Sequence, residues 1–168
     1  MVSNSGPLIW LAKIGRLILL KTLFERVVIP GRVYEEVSLE KQSADSVLIG
    51  KAIEDGWIKV SEERMEEAAV LAGASGTHLG EAEAILLAQK LGTELIIDER
   101  EASMTAQMFG VKPIGTIAVL LLALARDQIA ISEFRECLDR LSASGFWLSV
   151  DVYNKALEEA QSIAKRKS

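Results

Sequence analysis

The sequence predicts an α/β fold of three layers, a central five-stranded parallel sheet flanked by helices. Two observations carry this. Short β-type runs alternate with longer helical patterns from one end of the 168 residues to the other, which is how strands joined by helical crossovers read in sequence. The composition, 49% apolar and 26% charged, is that of an ordinary globular chain, and the length suits one domain over residues 1–168 with its own core.

The elements follow in order. Strands are expected at 1–4, 27–30, 57–60, 95–98 and 112–114, each short and apolar enough to be buried. Helices are expected at 7–14, 17–24, 32–39, 45–55, 80–91, 101–109 and 116–126, and then at 132–141 and 150–165, packed on the same domain. Pro7 suits a first helical turn, where its missing N–H costs nothing. Pro30 closes a strand without sitting inside it. Gly56, Gly92 and Gly110 each stand just past a helical stretch, as left-handed caps do. Between the third and fourth strands a helix is expected over 62–72, with Met65, Ala68, Ala69 and Ala72 on one side. Residues 73–76 read there as a flexible connection, and the whole stretch as a mobile flap.

Bulk properties narrow the function. The net charge of −5 and a pI near 5.1 argue against a broad basic face that coats nucleic acid. They are compatible with a nuclease whose phosphates meet a divalent cation held by carboxylates. Cys137 is the only cysteine and His78 the only histidine. An intrachain disulfide and a cysteine-based zinc site are therefore excluded, and a reducing, cytoplasmic setting is expected. Cys137 reads as a packed helical thiol rather than a nucleophile. No secretory signal is expected, since a basic start is missing and Lys13 interrupts the early apolar stretch. The longest apolar run, residues 117–125, is far short of the roughly 20 residues of a membrane span. The C-terminal Lys165, Arg166 and Lys167 read as a solvated end.

The chemistry is expected where strands end. In open parallel sheets, ligands bind beyond the carboxyl ends of strands where the strand order reverses. Asn4 and Asp98 sit at two such ends, and they share one crevice if their strands are neighbours. Each also fits a helix cap, Asn4 before Pro7 and Asp98 three residues before Glu101. Glu36 flanks the buried stripe of Val33 and Val37. Glu81 shares a face with Ala84, Ile85 and Ala88, whereas Glu83 points more toward solvent; the helix dipole alone also favours an acid there. Carboxylates held against a core without nearby Lys or Arg need compensation, and a cation supplies it. Lys13, Arg16 and Arg100 are candidates to guide a nucleic-acid backbone, and His78 to contact a phosphate or base.

These residues carry a resemblance. The succession Val2-Ser3-Asn4-Ser5-Gly6-Pro7, Val33-Tyr34-Glu35-Glu36-Val37, Leu79-Gly80-Glu81-Ala82, Leu95-Ile96-Ile97-Asp98-Glu99 and Gly115-Thr116 resembles the PIN-domain proteins, closest to a prokaryotic branch related to VapC toxins. The match runs to about residue 124. The resemblance implies a PIN-like fold and an acidic cluster binding Mg2+ or Mn2+ for hydrolysis of single-stranded RNA. By position, Asn4, Glu36, Glu81 and Asp98 would be its metal-binding and catalytic residues, with Glu99 an accessory metal-binding acid. It also implies an antitoxin protein as partner and a homodimer. Asn4 is neutral where a carboxylate is usual, and Gly6 replaces a common Ser or Thr hydroxyl. The alternative is accordingly an attenuated PIN-fold module that binds nucleic acid or protein without cleaving. A receiver-type phosphoacceptor fits less well, because it needs a Lys on the last strand and Lys112 lies at the start of that strand.

Overall fold

Five short strands, β1 (Val2–Ser3), β2 (Val27–Ile29), β3 (Ile58–Val60), β4 (Leu95–Ile96) and β5 (Pro113–Ile114), pair throughout in parallel in the order β3-β2-β1-β4-β5. The computed structural model describes residues 1–39 and 43–167, without the side chain of Lys167. Alternate strand residues feed opposite cores, as the two-residue period of a strand requires. Val27, Ile29, Ile58 and Ile96 pack into one cluster, while Val2, Leu95 and Ile97 pack into the other. The expected five-stranded parallel sheet between helices is therefore what the chain forms.

The helices are α1 (Ser5–Lys13), α2 (Ile18–Phe24), α3 (Gly31–Ser38), α4 (Ala44–Glu54), α5 (Ala68–Ser75), α6 (Leu79–Leu91), α7 (Arg100–Met108), α8 (Thr116–Ala125), α9 (Ile131–Ala143) and α10 (Val150–Lys167). Gly56, Gly92 and Gly110 take the left-handed conformation just past α4, α6 and α7 (φ 78°, 59° and 72°), as their positions predict. Residues from α6 and α7 build the smaller core, and α1 to α4 with α8 to α10 surround the larger one, where Phe134 and Cys137 are buried. Burial pushes the Cys137 thiol pKa up, which fits a packed thiol. Lys165 and Arg166 are exposed at the end of α10; the side chain of Lys167 lies outside the described residues. Among the described residues no helix is long and apolar enough to cross a membrane.

The largest departure from expectation is between β3 and α6. The helix expected over 62–72 forms instead at Ala68–Ser75 and takes in Gly73, so the flexible connection expected at 73–76 is mostly helical, with Gly76 as its left-handed cap (φ 73°). Glu62, Glu63, Glu66 and Glu67 would stack like charges at helical spacing, whereas the alanine-rich stretch beyond them has the better helix propensity. β1, β2 and β4 also end earlier than expected, whereas β3 and β5 end at Val60 and Ile114 as expected and start one residue later. Asn4 and Ile97 lie just past the paired residues, yet Asn4 N–H still donates to the Ile96 carbonyl (2.9 Å) and Ile97 N–H to Ile114 (2.9 Å). Pro113, which has no N–H to donate, is accommodated because β5 is an edge strand.

Candidate functional site

The strand order reverses at β1. Successive strands β2 and β3 extend to one side of it, and β4 and β5 to the other. Ser3 stands opposite Ile96, so the next residues on each strand, Asn4 and Ile97-Asp98, open into one crevice at the carboxyl end. The neighbour relation on which the expected site depended is thus in place.

Neither Asn4 nor Asp98 acts as a cap. Asn4 occupies the N-cap position of α1, but its side chain makes no capping bond. It is 3% exposed, and its Oδ1 is a buried acceptor with no donor. Such an atom costs on the order of 1–3 kcal/mol until something satisfies it. The N-cap of α7 is Glu99 rather than Asp98. Asp98 turns instead to the start of α8, where Thr116 N–H donates to Oδ1 and Thr116 Oγ1 to Oδ2, both at 2.7 Å. Burial lifts the Asp98 pKa to about 6 against the lowering effect of those two bonds, and the nearby charge of Glu99 adds to the rise.

The two helical acids come from α3 and α6. Glu36 accepts a hydrogen bond from Ser5 Oγ (2.6 Å), which ties α3 to the start of α1. Its carboxylate lies directly over Gly80, so close that a methyl group there would run into Oε1. Glu81, the next residue, is 6% exposed, and its Oε2 accepts from the His78 N–H (2.8 Å), closing the first turn of α6. Burial raises the Glu81 pKa; the His78 N–H opposes this, and the charges of Glu99 and Glu36 reinforce it. Glu99 is exposed and faces Gly6, where an added Cβ would stand 3.4 Å from its Oε1.

Electrostatic repulsion relates Glu36, Glu81 and Glu99, and Asp98 and Glu99, to one another, and Asn4 ends the strand next to the one that leads to Asp98. They are not drawn tightly together: among the described residues no three His, Cys, Asp or Glu side chains stand in position to hold a metal ion. The donor chemistry nevertheless fits a hard divalent cation, with carboxylate oxygens and one unsatisfied amide oxygen. Three residues outside the expected site prove to shape it. Ser5 and Gly80 place Glu36, and Thr116 places Asp98; in the sequence all three stand only as members of the segments that carry the resemblance.

The other candidates lie to the side. Arg16 pairs with Glu133 (3.0 Å) and Lys13 with the Trp10 ring, while His78 and Arg100 are exposed at the starts of α6 and α7. A concavity of about 570 Å3 reaches from Arg32 and Glu35 across residues 61–66 to Glu83. It flanks the crevice without including its carboxylates. Glu35 pairs there with Arg32 (2.8 Å), and Glu83 accepts from the Arg32 N–H (3.3 Å), so we read it as a neighbouring surface rather than the site.

One consequence concerns Thr116. Thr116→Val keeps the side-chain shape and the backbone donor but removes the hydroxyl facing Asp98, and is expected to cost about 1.5–3 kcal/mol at pH 8, as hydrogen bonds to charged groups do. The cost should shrink at pH 5, where Asp98 is mostly protonated. Denaturant unfolding at both values checks this; an equal loss at the two would show that the hydroxyl does not hold the ionised carboxylate.

The family model described as DUF3368, PIN domain, matches residues 1–162 of the chain. Nothing among curated proteins and nothing among solved structures matches it.

Proposed function

The chain belongs to the PIN-domain family, and on that premise we propose that it is a metal-dependent endoribonuclease that hydrolyses phosphodiester bonds of single-stranded RNA. The observation that carries the reading is the buried amide oxygen of Asn4, which has no donor, at the end of the strand that pairs with the one leading to Asp98. Glu81 and Asp98 are held partly against ionisation by burial and by the charge of Glu99. A cation relieves both costs at once.

Asn4, Glu36, Glu81 and Asp98 would hold Mg2+ or Mn2+, with Glu99 at the rim. When bound, the ion supplies Lewis-acid chemistry: a bound water of lowered pKa and neutralised charge on the scissile phosphate. The chain's own residues do the rest. Ser5 and Gly80 fix the direction of Glu36, and Thr116 fixes both oxygens of Asp98. Asn4 orients but cannot take a proton, so any proton from the attacking water passes to a carboxylate, of which Glu81 has its acidity shifted in the useful direction.

The test titrates Mg2+ and Mn2+ into wild type and Asp98→Ala while following cleavage of a mixed single-stranded RNA and the thermal midpoint. Metal-dependent cleavage lost in the variant is expected. A cation-dependent rise in the midpoint without cleavage would favour the second reading, an attenuated module, for which the neutral Asn4 and the already engaged oxygens of Asp98 speak. No response to either ion would remove the metal assignment.

The finer proposal is a toxin of a toxin–antitoxin pair, working in the cytoplasm as a homodimer and held by an antitoxin protein. It draws on the resemblance and on the single, buried cysteine. Induced expression of wild type should arrest growth and that of Asp98→Ala should not; equal growth in both would end it.

A further inference from the structure

α1 begins next to the crevice and leads away from it. Gly6, Trp10 and Lys13 are spaced i, i+4, i+7 and so share one face of that helix. Gly6 lies against Glu99 at the crevice rim, and with no side chain it leaves the start of this face open. Trp10 follows about 6 Å along the axis and Lys13 about 10 Å. Lys13 Nζ sits 4.8 Å from the centroid of the Trp10 ring, an arrangement that fixes an otherwise floppy ammonium. Among the described residues it has no carboxylate partner. Phe146 packs edge-on against Trp10, centroids 5.4 Å apart and planes at 88°. The next residue, Trp147, is 84% exposed.

An indole that open to water forgoes the burial that tryptophan normally provides. On its N-terminal side the chain is small and polar, with Ser142, Ser144 and Gly145 exposed, while Val150 is an exposed apolar residue on its C-terminal side. Trp10 and Phe146 are partly buried against the core, so they set a base under two exposed groups, the Lys13 ammonium and the Trp147 indole; a cation and an open indole are the pair that binds unpaired nucleotides through backbone charge and stacking.

We propose that single-stranded RNA leaves the acidic crevice along α1 and is held by a non-catalytic platform, with an unpaired base stacked on Trp147 and a backbone phosphate on Lys13. The proposal rests on the ribonuclease reading and adds to it a binding surface outside the crevice. Trp10 and Phe146 are positioning residues that hold Lys13 and the loop carrying Trp147.

The experiment measures binding of a fluorescently labelled oligouridylate in EDTA, where no cleavage occurs, for wild type, Trp147→Ala, Trp147→Phe and Lys13→Ala, and then kcat and KM with Mg2+. Trp147→Ala should weaken binding roughly tenfold and raise KM alike with kcat little changed, while Trp147→Phe retains most of the affinity. Lys13→Ala should also lower the slope of log affinity against log salt by about one. Duplex RNA of the same length should not discriminate among the variants. Wild type that binds and cleaves while all variants match its affinity would overturn the platform and leave the nuclease reading intact. Wild type that neither binds nor cleaves would overturn the nuclease reading, and the platform with it. Unchanged RNA affinity together with a dimer dissociated by Trp147→Ala in sedimentation would make the surface a contact between copies, with Val150 as its exposed neighbour, and would also overturn the proposal.

Discussion

Replacing Gly80 with alanine is expected to reduce metal-dependent cleavage by on the order of 10²-fold while leaving the thermal midpoint nearly unchanged. The new methyl group would run into the Glu36 carboxylate, which is the mobile end of a half-buried side chain and can swing away. Misplacement of a catalytic group by about an ångström is enough for a loss of that size. The stability terms oppose one another. Alanine in place of glycine in the first turn of α6 stabilises by at most the roughly 0.5–1 kcal/mol of a helix interior, and loss of the Ser5–Glu36 hydrogen bond costs about 1 kcal/mol. Cleavage rates and the cation-induced rise in midpoint, measured on the same preparation, check the split. A variant that cleaves like wild type would show that Glu36 need not stand over Gly80. A variant that merely unfolds would show that the helix, not the carboxylate, had yielded.

Gly80 also shows what a sequence displays and what it hides. The alternation of strands and helices was legible because each strand is a short apolar run whose successive residues feed opposite cores, as Val27, Val28 and Ile29 do. Asn4 and Asp98 were legible as strand ends, since residues that follow a buried run and precede a helix can hardly be anywhere else. The helix after β3 begins six residues beyond the start that apolar periodicity over 62–72 predicts, because Glu62, Glu63, Glu66 and Glu67 repel one another at helical spacing. The supports of the site were hidden for a different reason. Ser5 reaches Glu36 across 31 positions and Thr116 reaches Asp98 across 18, and no local pattern announces a contact that only tertiary packing creates. Gly80 reads as an ordinary helix-start glycine until Glu36 is laid across it. Asn4 and Asp98 each also fit a cap by local chemistry, but packing gives Asp98 the Thr116 partner and leaves Asn4 Oδ1 with none.

Asp98→Asn should have two effects of opposite sign. In the absence of divalent cations it is expected to stabilise the fold at pH 7–8. The ordinary carboxyl value is 3.8, and burial lifts that of Asp98 to about 6. The folded state therefore binds this proton more tightly than the unfolded chain, and stability falls as pH rises through the interval between the two values. Below about pH 4 both states are protonated and the penalty is absent; above about pH 6 it is complete, on the order of 2–3 kcal/mol for a shift of this size. Asparagine is isosteric and uncharged. Its Oδ1 can accept from the Thr116 N–H, and its amide can donate to a rotated Thr116 hydroxyl, so the two bonds to α8 survive. The gain should thus be near zero at pH 4 and largest above pH 7, as read from denaturant unfolding in EDTA. The same substitution removes the charge a cation needs, so cleavage and the cation-induced rise in midpoint should both disappear. In the wild type, cation binding must displace the proton, and its affinity should fall with pH below about 6. A stability gain equal at pH 4 and pH 8 would show that ionised Asp98 is not under strain. A pH-dependent gain with cleavage retained would show that the strained carboxylate serves the fold and not the reaction.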